Sequence, residues 1–335
     1  MAKTIVTGGA GFIGSHTWVE LLASGYEPII VDDLRNSDER VLAGLEKITG
    51  KKPSIHRIDC TDHTALDRVF QAERPDSVIH FAADKAVGES VRDPLKYYHN
   101  NIGSLVTLLR VMARQGVKDL VFSSSCTVYG DCRDLPVTER SATGASASPY
   151  GYTKVVCEQL LRDASAADPQ LRVVMLRYFN PIGAHPSAQI GELPIGVPNN
   201  LVPFITQAAA GLRDKLTVFG NDYPTRDGSC IRDYIHVVDL AKAHVLALKW
   251  LSLQRAPLCD VFNLGTGQGN TVLEAVQTFE EVNGVKVPFV IGPRRAGDVV
   301  AMYADTTKSR EVLGWSTERT LADALRDAWR WQLTL

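Results

Sequence analysis

The sequence offers no C-x-x-C pair, no grouping of His, Cys and carboxylates at metal-ligand spacing, and no run of about 20 apolar residues. The first two absences argue against a zinc site or a disulfide framework. Cys60, Cys126, Cys132, Cys157, Cys230 and Cys259 are scattered and read as buried or incidental thiols. The third absence excludes a helical membrane span. Positive charge is not in surplus either. Lys and Arg number 36 against 38 Asp and Glu, for a net charge of −2 and a pI of about 6.5, so nothing points to a nucleic-acid partner. No charged region followed by an apolar run and a small-residue cleavage site opens the sequence, which reads as that of a cytoplasmic protein. Internal repeats and low-complexity segments are missing. Residues 141–149 are small and polar and read as a loop.

What the chain does have is apolar content, 45% of 335 residues, enough for one large core or two modest ones. Strands are expected over 3–7, 28–31, 54–58, 77–81, 120–124 and 173–177, and helices over 12–24, 37–49, 63–71, 94–115 and 150–166. That alternation marks an α/β fold with a doubly wound parallel sheet, the Rossmann arrangement. Beyond Pro181 it breaks, as Gly, Pro and Asn become frequent up to Pro203. A helix over 238–250 and a strand over 261–264 are expected to rejoin the sheet. The expected division is a nucleotide-binding domain over 1–180, with 234–265 rejoining it, and a smaller mixed α/β lobe built from 181–233 and 266–335. The substrate would lie in the cleft between them.

The first strand runs into Gly8, Gly11 and Gly14, spaced G-x-x-G-x-x-G, and then into an amphipathic helix. Glycines there let the backbone approach a pyrophosphate, and helix N–H groups point at the anion. Asp32 ends the second strand, 18 residues beyond Gly14, where a ribose-binding carboxylate is expected. Asp32 and Asp33 would repel the 2′-phosphate of NADP, which favours NAD; Arg35 is the counter-argument.

Further along stands Tyr150-Gly-Tyr-Thr-Lys154, with Ser125 upstream. A Tyr and a Lys four apart share one helix face. A phenol is a poor base at neutral pH, but a nearby ammonium favours the phenolate, and a Ser hydroxyl can hold the same substrate oxygen. The trio suits removal of a proton from an alcohol while a hydride leaves the same carbon. On its own the spacing also suits a solvated helix face.

Longer blocks carry a resemblance. They include the segment from Thr7 to His16, His80-Phe-Ala-Ala-Asp-Lys-Ala-Val-Gly-Glu-Ser90, and Phe122-Ser-Ser-Ser-Cys-Thr-Val-Tyr-Gly130. Others are Arg177-Tyr-Phe-Asn-Pro-Ile-Gly-Ala-His-Pro186, Pro198-Asn-Asn-Leu201, Phe219-Gly-Asn-Asp-Tyr-Pro-Thr225 and Ile231-Arg-Asp-Tyr-Ile-His236. Over nearly its whole length the chain resembles the extended short-chain dehydrogenase/reductase family and, within it, the UDP-glucose (UDP-galactose) 4-epimerases. The glycine loop and the Tyr-Lys pair are family-wide, whereas the last two blocks are far more specific to the epimerases.

The resemblance implies a reversible inversion at C4 of UDP-galactose or UDP-glucose through a transient 4-keto sugar, with NAD as cofactor. Tyr150 would be base and acid at the sugar 4-hydroxyl, Lys154 its electrostatic partner and ribose anchor, and Ser125 the second hydrogen bond. Gly8, Gly11, Phe12, Ile13 and Gly14 would line the pyrophosphate. Asp32, Asp33 and Asn36 would hold the adenosine ribose, with Asp59 and Cys60 at adenine. Phe81, Ala82, Lys85, Asn100, Ser123 and Tyr178 would complete the cofactor site, with Lys85 also near substrate. The UDP-sugar would be held by Asn180, Asn200, Leu201, Phe219, Arg232, Arg295 and Asp298, with Met302 bounding the sugar pocket. Two guanidinium forks suit a diphosphate on physical grounds alone. The resemblance also implies a homodimer formed through the helices over 94–115 and 150–166, although Leu105, Leu108, Leu109 and Met112 could equally be core.

Three readings compete. A nucleotide-sugar 4,6-dehydratase needs a further acid and base after the Ser, but Cys126 and Thr127 stand there. An epimerase of another UDP-sugar, an N-acetylated hexose or a pentose, is the second; among relatives N-acetyl sugars go with a small residue at Met302, and Met, bulky but flexible, favours the non-acetylated sugars. Cys126 and Tyr152 are mild departures from the family pattern. A non-catalytic nucleotide-binding regulator is disfavoured, because the Tyr, the Lys and the loop glycines are all present.

Overall fold

Residues that alternate between two apolar sets build the central sheet. In the computed structural model, which describes residues 1–144, 146, 148–295 and 297–335, its strands are β1 (Lys3–Thr7), β2 (Glu27–Val31), β3 (Ser54–His56), β4 (Ser77–His80), β5 (Asp119–Ser125), β6 (Arg172–Tyr178) and β7 (Leu258–Leu264). All pair in parallel, in the order β7-β6-β5-β4-β1-β2-β3. Period-two alternation sends Ile5, Val78, Leu120, Phe122, Val173 and Met175 to one face, where they pack on Leu108, Met112, Cys157 and Leu161. Val6, Ile79, Val121, Val174 and Leu176 go to the other face and meet Leu21, Leu240, Ala243 and Leu248. With both faces covered, the strands are apolar nearly throughout, as buried parallel strands must be.

Phe12–Ala23, Arg40–Thr49, His63–Glu73 and Pro149–Ala167 form helices within a few residues of the expected spans. The span over 94–115 is interrupted: Pro94–Tyr97 passes through a π-helical turn, Tyr98–Ile102, into Gly103–Gln115. Within that turn Asn101 donates to the Asp84 carbonyl at 3.0 Å and to the Thr153 hydroxyl at 3.1 Å. Leu105, Leu108 and Met112 are buried core, and Leu109 is partly buried against the same cluster. Of the polar stretch over 141–149, Ala145 and Ala147 lie outside the described residues.

The chain later returns to the sheet. Helix Val237–Ser252 packs on it, and β7 runs alongside β6 over seven register pairs, Leu258↔Arg172 to Leu264↔Tyr178. The short strand Tyr234–His236 pairs instead with Asn180–Ile182. A second core gathers Ile182, Val202, Ile205, Val218, Tyr234, Phe279 and Leu325. Smaller sheets flank it: Leu216–Phe219 with Phe289–Gly292, and Ile231–Arg232 between Asn270–Thr271 and Ala301–Met302. Among the described residues, no helix is long and apolar enough to cross a membrane.

Candidate active site

A cleft of about 460 Å³ opens at the carboxyl ends of the strands. Its floor is the β1 turn. Gly8 has φ +68°, and a Cβ there would come within 2.8 Å of the Ala82 nitrogen. A Cβ on Gly14 would collide with the Gly8 carbonyl. Phe12 begins its helix with no side-chain cap and no acid in the first turn, which leaves the N–H groups of that turn to whatever enters the cleft. Phe12 and Ile13 line it.

At the next strand end, Asp32 accepts from the backbone N–H groups of Ala10 (3.0 Å) and Leu34 (2.9 Å). Burial raises its pKa, against the pull of those two bonds. Arg35 is clamped between the Asp33 and Asp59 carboxylates and reaches Asn100 Oδ1 at 3.4 Å. Burial pushes Asp59 up, but hydrogen bonds from Thr61 and Arg35 bring it below the usual carboxylate range. Asn36 donates to Asp84 at 3.0 Å. Cys60, Phe81, Ala82, Lys85, Ser123 and Tyr178 complete this wall.

Ser125, Tyr150 and Lys154 meet where β5 faces the helix Pro149–Ala167. Ser148 caps that helix through the Gly151 N–H, and Pro149 occupies its first turn. Lys154 is buried; its ammonium donates to the Ser123 carbonyl at 2.7 Å and lies 4.9 Å from the centre of the Phe122 ring. Burial brings its pKa down to about 8, opposed by Cys157 and Glu158. Tyr150 stands edge-on to Tyr97, ring centres 6.5 Å apart. Burial pushes its phenol up to about 12, and a hydrogen bond with Ser125 opposes the shift. Desolvation thus favours the neutral phenol at Tyr150 and weakens the hold of Lys154 on its proton. Ser125 Oγ accepts from both the N–H (3.2 Å) and the hydroxyl (3.0 Å) of Thr127, which leaves its own proton to be donated, here toward Tyr150.

Asn180, Asn200 and Leu201 also line the cleft, and the buried Asn180 Oδ1 has no hydrogen-bond partner among the described residues. Phe219, Arg232, Arg295, Asp298 and Met302 do not; they form a neighbouring group on the smaller sheets. Asp298 Oδ1 lies 2.7 Å from Arg295 and 3.5 Å from Arg232. The Arg295 guanidinium lies 5.7 Å from the centre of the Phe219 ring. Met302 is the register partner of Arg232 and packs in one cluster with Phe179 and Cys126. That cluster joins the two groups, because Cys126 follows Ser125 directly.

Two residues of the site carry no signal in the sequence. Thr127 is legible only once its bonds to Ser125 are seen. Glu192 takes hydrogen bonds from Lys85 (3.2 Å) and Asn200 at the cleft mouth, and nothing in its Gly- and Pro-rich stretch marks it.

The glycine cradle, the uncapped helix start and the orphaned Asn180 oxygen fit a dinucleotide beside a second polar ligand. Known proteins agree. The chain is 52% identical to the UDP-glucose 4-epimerase of Bacillus subtilis (strain 168) over 328 residues, covering 98% of this chain and 96% of that one. It is 50% identical to UDP-glucose 4-epimerase 2 of Arabidopsis thaliana, covering 99% and 95%. Its structure superposes with a TM-score of 0.97 on the Stenotrophomonas maltophila UDP-glucose 4-epimerase with bound NAD and formylated UDP-arabinopyranose, at 50% identity over 100% of this chain and 98% of that one. The Bifidobacterium longum UDP-glucose 4-epimerase in complex with NAD+ and UDP gives 0.96 at 46% identity, covering 99% and 98%. Residues 4–265 match the NAD dependent epimerase/dehydratase family, and the chain belongs to it.

Proposed function

We propose that the chain is an NAD-dependent UDP-glucose 4-epimerase, which interconverts UDP-galactose and UDP-glucose by inverting C4. The observation that carries this is the convergence of Tyr150, Ser125 and Lys154 on one cleft with the glycine cradle. Tyr150 takes the proton from the sugar O4 and later returns it. Ser125, its oxygen saturated by Thr127, donates to O4 and holds it in place. Lys154 places positive charge beside the phenol and favours its deprotonated form. NAD, when bound, supplies the redox step at C4, accepting and returning the hydride. The 4-keto sugar between the two transfers must turn its other face, so the diphosphate is held while the sugar stays loosely held.

In this reading Gly8, Gly11, Phe12, Ile13 and Gly14 cradle the pyrophosphate. Asp32, Asp33 and Asn36 take the ribose, and Asp59 and Cys60 bound the adenine. Phe81, Ala82, Lys85, Asn100, Ser123, Tyr178 and Lys154 complete the cofactor site. Arg232 and Arg295 take the substrate diphosphate, and Asn180, Asn200, Leu201, Phe219 and Asp298 hold the rest of UDP. The residues divide between a nucleotide-binding part, 1–180 with 234–265, and a substrate-binding part, 181–233 with 266–335; the separate second core supports that division. Exposed Val91, Leu95 and Tyr152 on adjoining helices support a homodimer, and we read the protein as cytoplasmic.

A second substrate class deserves the same assay, because the Stenotrophomonas relative was crystallised with a UDP-pentose derivative. Conversion of UDP-galactose without added NAD, with NAD released on denaturation, and loss of turnover in Tyr150→Phe are the expected results. A folded, NAD-loaded protein inert toward UDP-galactose, UDP-xylose and UDP-N-acetylgalactosamine would overturn the proposal.

A further inference from the structure

Behind the reacting side chains lies a buried polar group with no part in the chemistry just described. On the sheet face that packs against Cys157 and Leu161, the apolar rows of β5 and β6 end in Ser124 and Arg177, which are register partners. Both reach Glu158, one helical turn beyond Lys154. Ser124 Oγ donates to Glu158 Oε1 at 2.7 Å, and Arg177 forms a two-pronged ion pair with the same carboxylate at 2.8 and 2.6 Å. Arg162 adds a third donor at 2.8 Å. Arg177 is 1% exposed and so is Glu158. The remaining Arg177 nitrogen donates to the Tyr129 hydroxyl at 2.8 Å, and that hydroxyl donates to Asn263 on β7 at 2.6 Å.

A buried ion pair is weak evidence for stability, since well-packed apolar residues often serve as well. Its worth lies in geometry. Ser125 sits between two anchored neighbours: Ser124, tied to Glu158, and Tyr129, tied to Arg177. Glu158 rides on the helix that carries Tyr150 and Lys154, and Lys154 itself is bonded to Ser123. The strand end, the loop after it and the helix are thus locked to one another by charge-assisted hydrogen bonds with narrow distance tolerance.

We propose that Ser124, Glu158 and Arg177 are positioning residues that fix the separation of Ser125 from Tyr150 for proton transfer. The proposal rests on the epimerase reading above. It requires that loosening the brace lowers kcat while substrate binding, made elsewhere in the cleft, is kept.

The test compares the parent with Ser124→Ala, Glu158→Gln and the double variant, each as full-length protein checked for NAD content and melting temperature. Both single variants should lose about tenfold to a hundredfold in kcat, the range that small misplacements of reacting groups produce. KM for UDP-galactose should stay within about twofold of the parent's, and the double variant should be little worse than Glu158→Gln alone, because both break one linkage. Where Glu158→Gln fails to fold, Ser124→Ala decides by itself, since it removes a hydroxyl and no charge. Parent-like kcat in a folded, NAD-loaded Ser124→Ala protein, or losses that multiply in the double variant, would overturn the brace. An inactive parent would instead sink the epimerase reading on which it rests.

Discussion

Lys154 spends one of its three ammonium protons on the Ser123 carbonyl, 2.7 Å away across the gap between helix and strand. The bond ties the cation to the end of β5, but burial still makes the charge costly. With its pKa brought down from 10.5 to about 8, the unfolded chain binds this proton more tightly than the folded one. The site's contribution to stability is therefore at its lowest below pH 8 and rises as pH climbs toward 10.5. Lys154→Met removes that cost and loses the Ser123 bond. It should be more stable than the parent at pH 7 by about 1–2 kcal/mol, with the lead gone near pH 10, and its kcat should fall by about 10²–10⁴. Denaturant titrations at both pH values, beside kinetics, check this.

Thr127 supplies two donors to Ser125 Oγ, and one of them is its hydroxyl. Thr127→Val removes that donor while keeping the shape. Ser125 is then free to turn its proton away from the sugar oxygen. A loss of about 1 kcal/mol of transition-state stabilisation, some fivefold in kcat with little change in KM, is the expected result.

Arg35 does not face an incoming 2′-phosphate freely, because Asp33 and Asp59 hold it. Asp33→Ser removes one repelling charge and loosens the clamp together. Binding of NADP should strengthen by about tenfold relative to NAD, read by displacement of a fluorescent nucleotide. An unchanged ratio would show that Asp32 alone sets the preference.

Arg232 donates to the backbone carbonyls of Ile231 and Val299, both at 2.8 Å, and has Asp298 at 3.5 Å. Its fork is thereby aimed before any ligand arrives. Arg232→Lys keeps the charge and loses the fork. KM for UDP-galactose should rise by about tenfold with kcat nearly unchanged, the signature of binding shared equally by ground and transition states.

Features that depend on local backbone demands were legible in the sequence. Gly8 needs positive φ, Gly14 needs close approach, and Asp32 must end a strand; each requirement selects a residue type at a spacing that can be read directly. Tyr150 and Lys154 were legible for the same reason, as a helix repeat. The π turn at Tyr98–Ile102 was not, because one inserted residue leaves apolar periodicity nearly unchanged. Nor was the partnership of Glu192 with Lys85, or of Glu158 with Arg177 and Ser124. Those pairs are made by chain topology, which brings together residues that share no local pattern. The upward shift at Tyr150 was likewise invisible, since the spacing shows a shared helix face but not the desolvation that raises the phenol.

The sheet is not finished until Leu258–Leu264 returns to lie beside β6, long after the chain has left to build the second core. An N-terminal fragment ending near Asn180 would expose seven consecutive backbone positions of β6 as a sticky border. Severing the chain there yields no free-standing half, so melting of either core should drag the other with it. Any ligand gripped in the cleft then lends its binding free energy to the whole chain, and a resident dinucleotide would act as a keystone of the fold as well as a reagent.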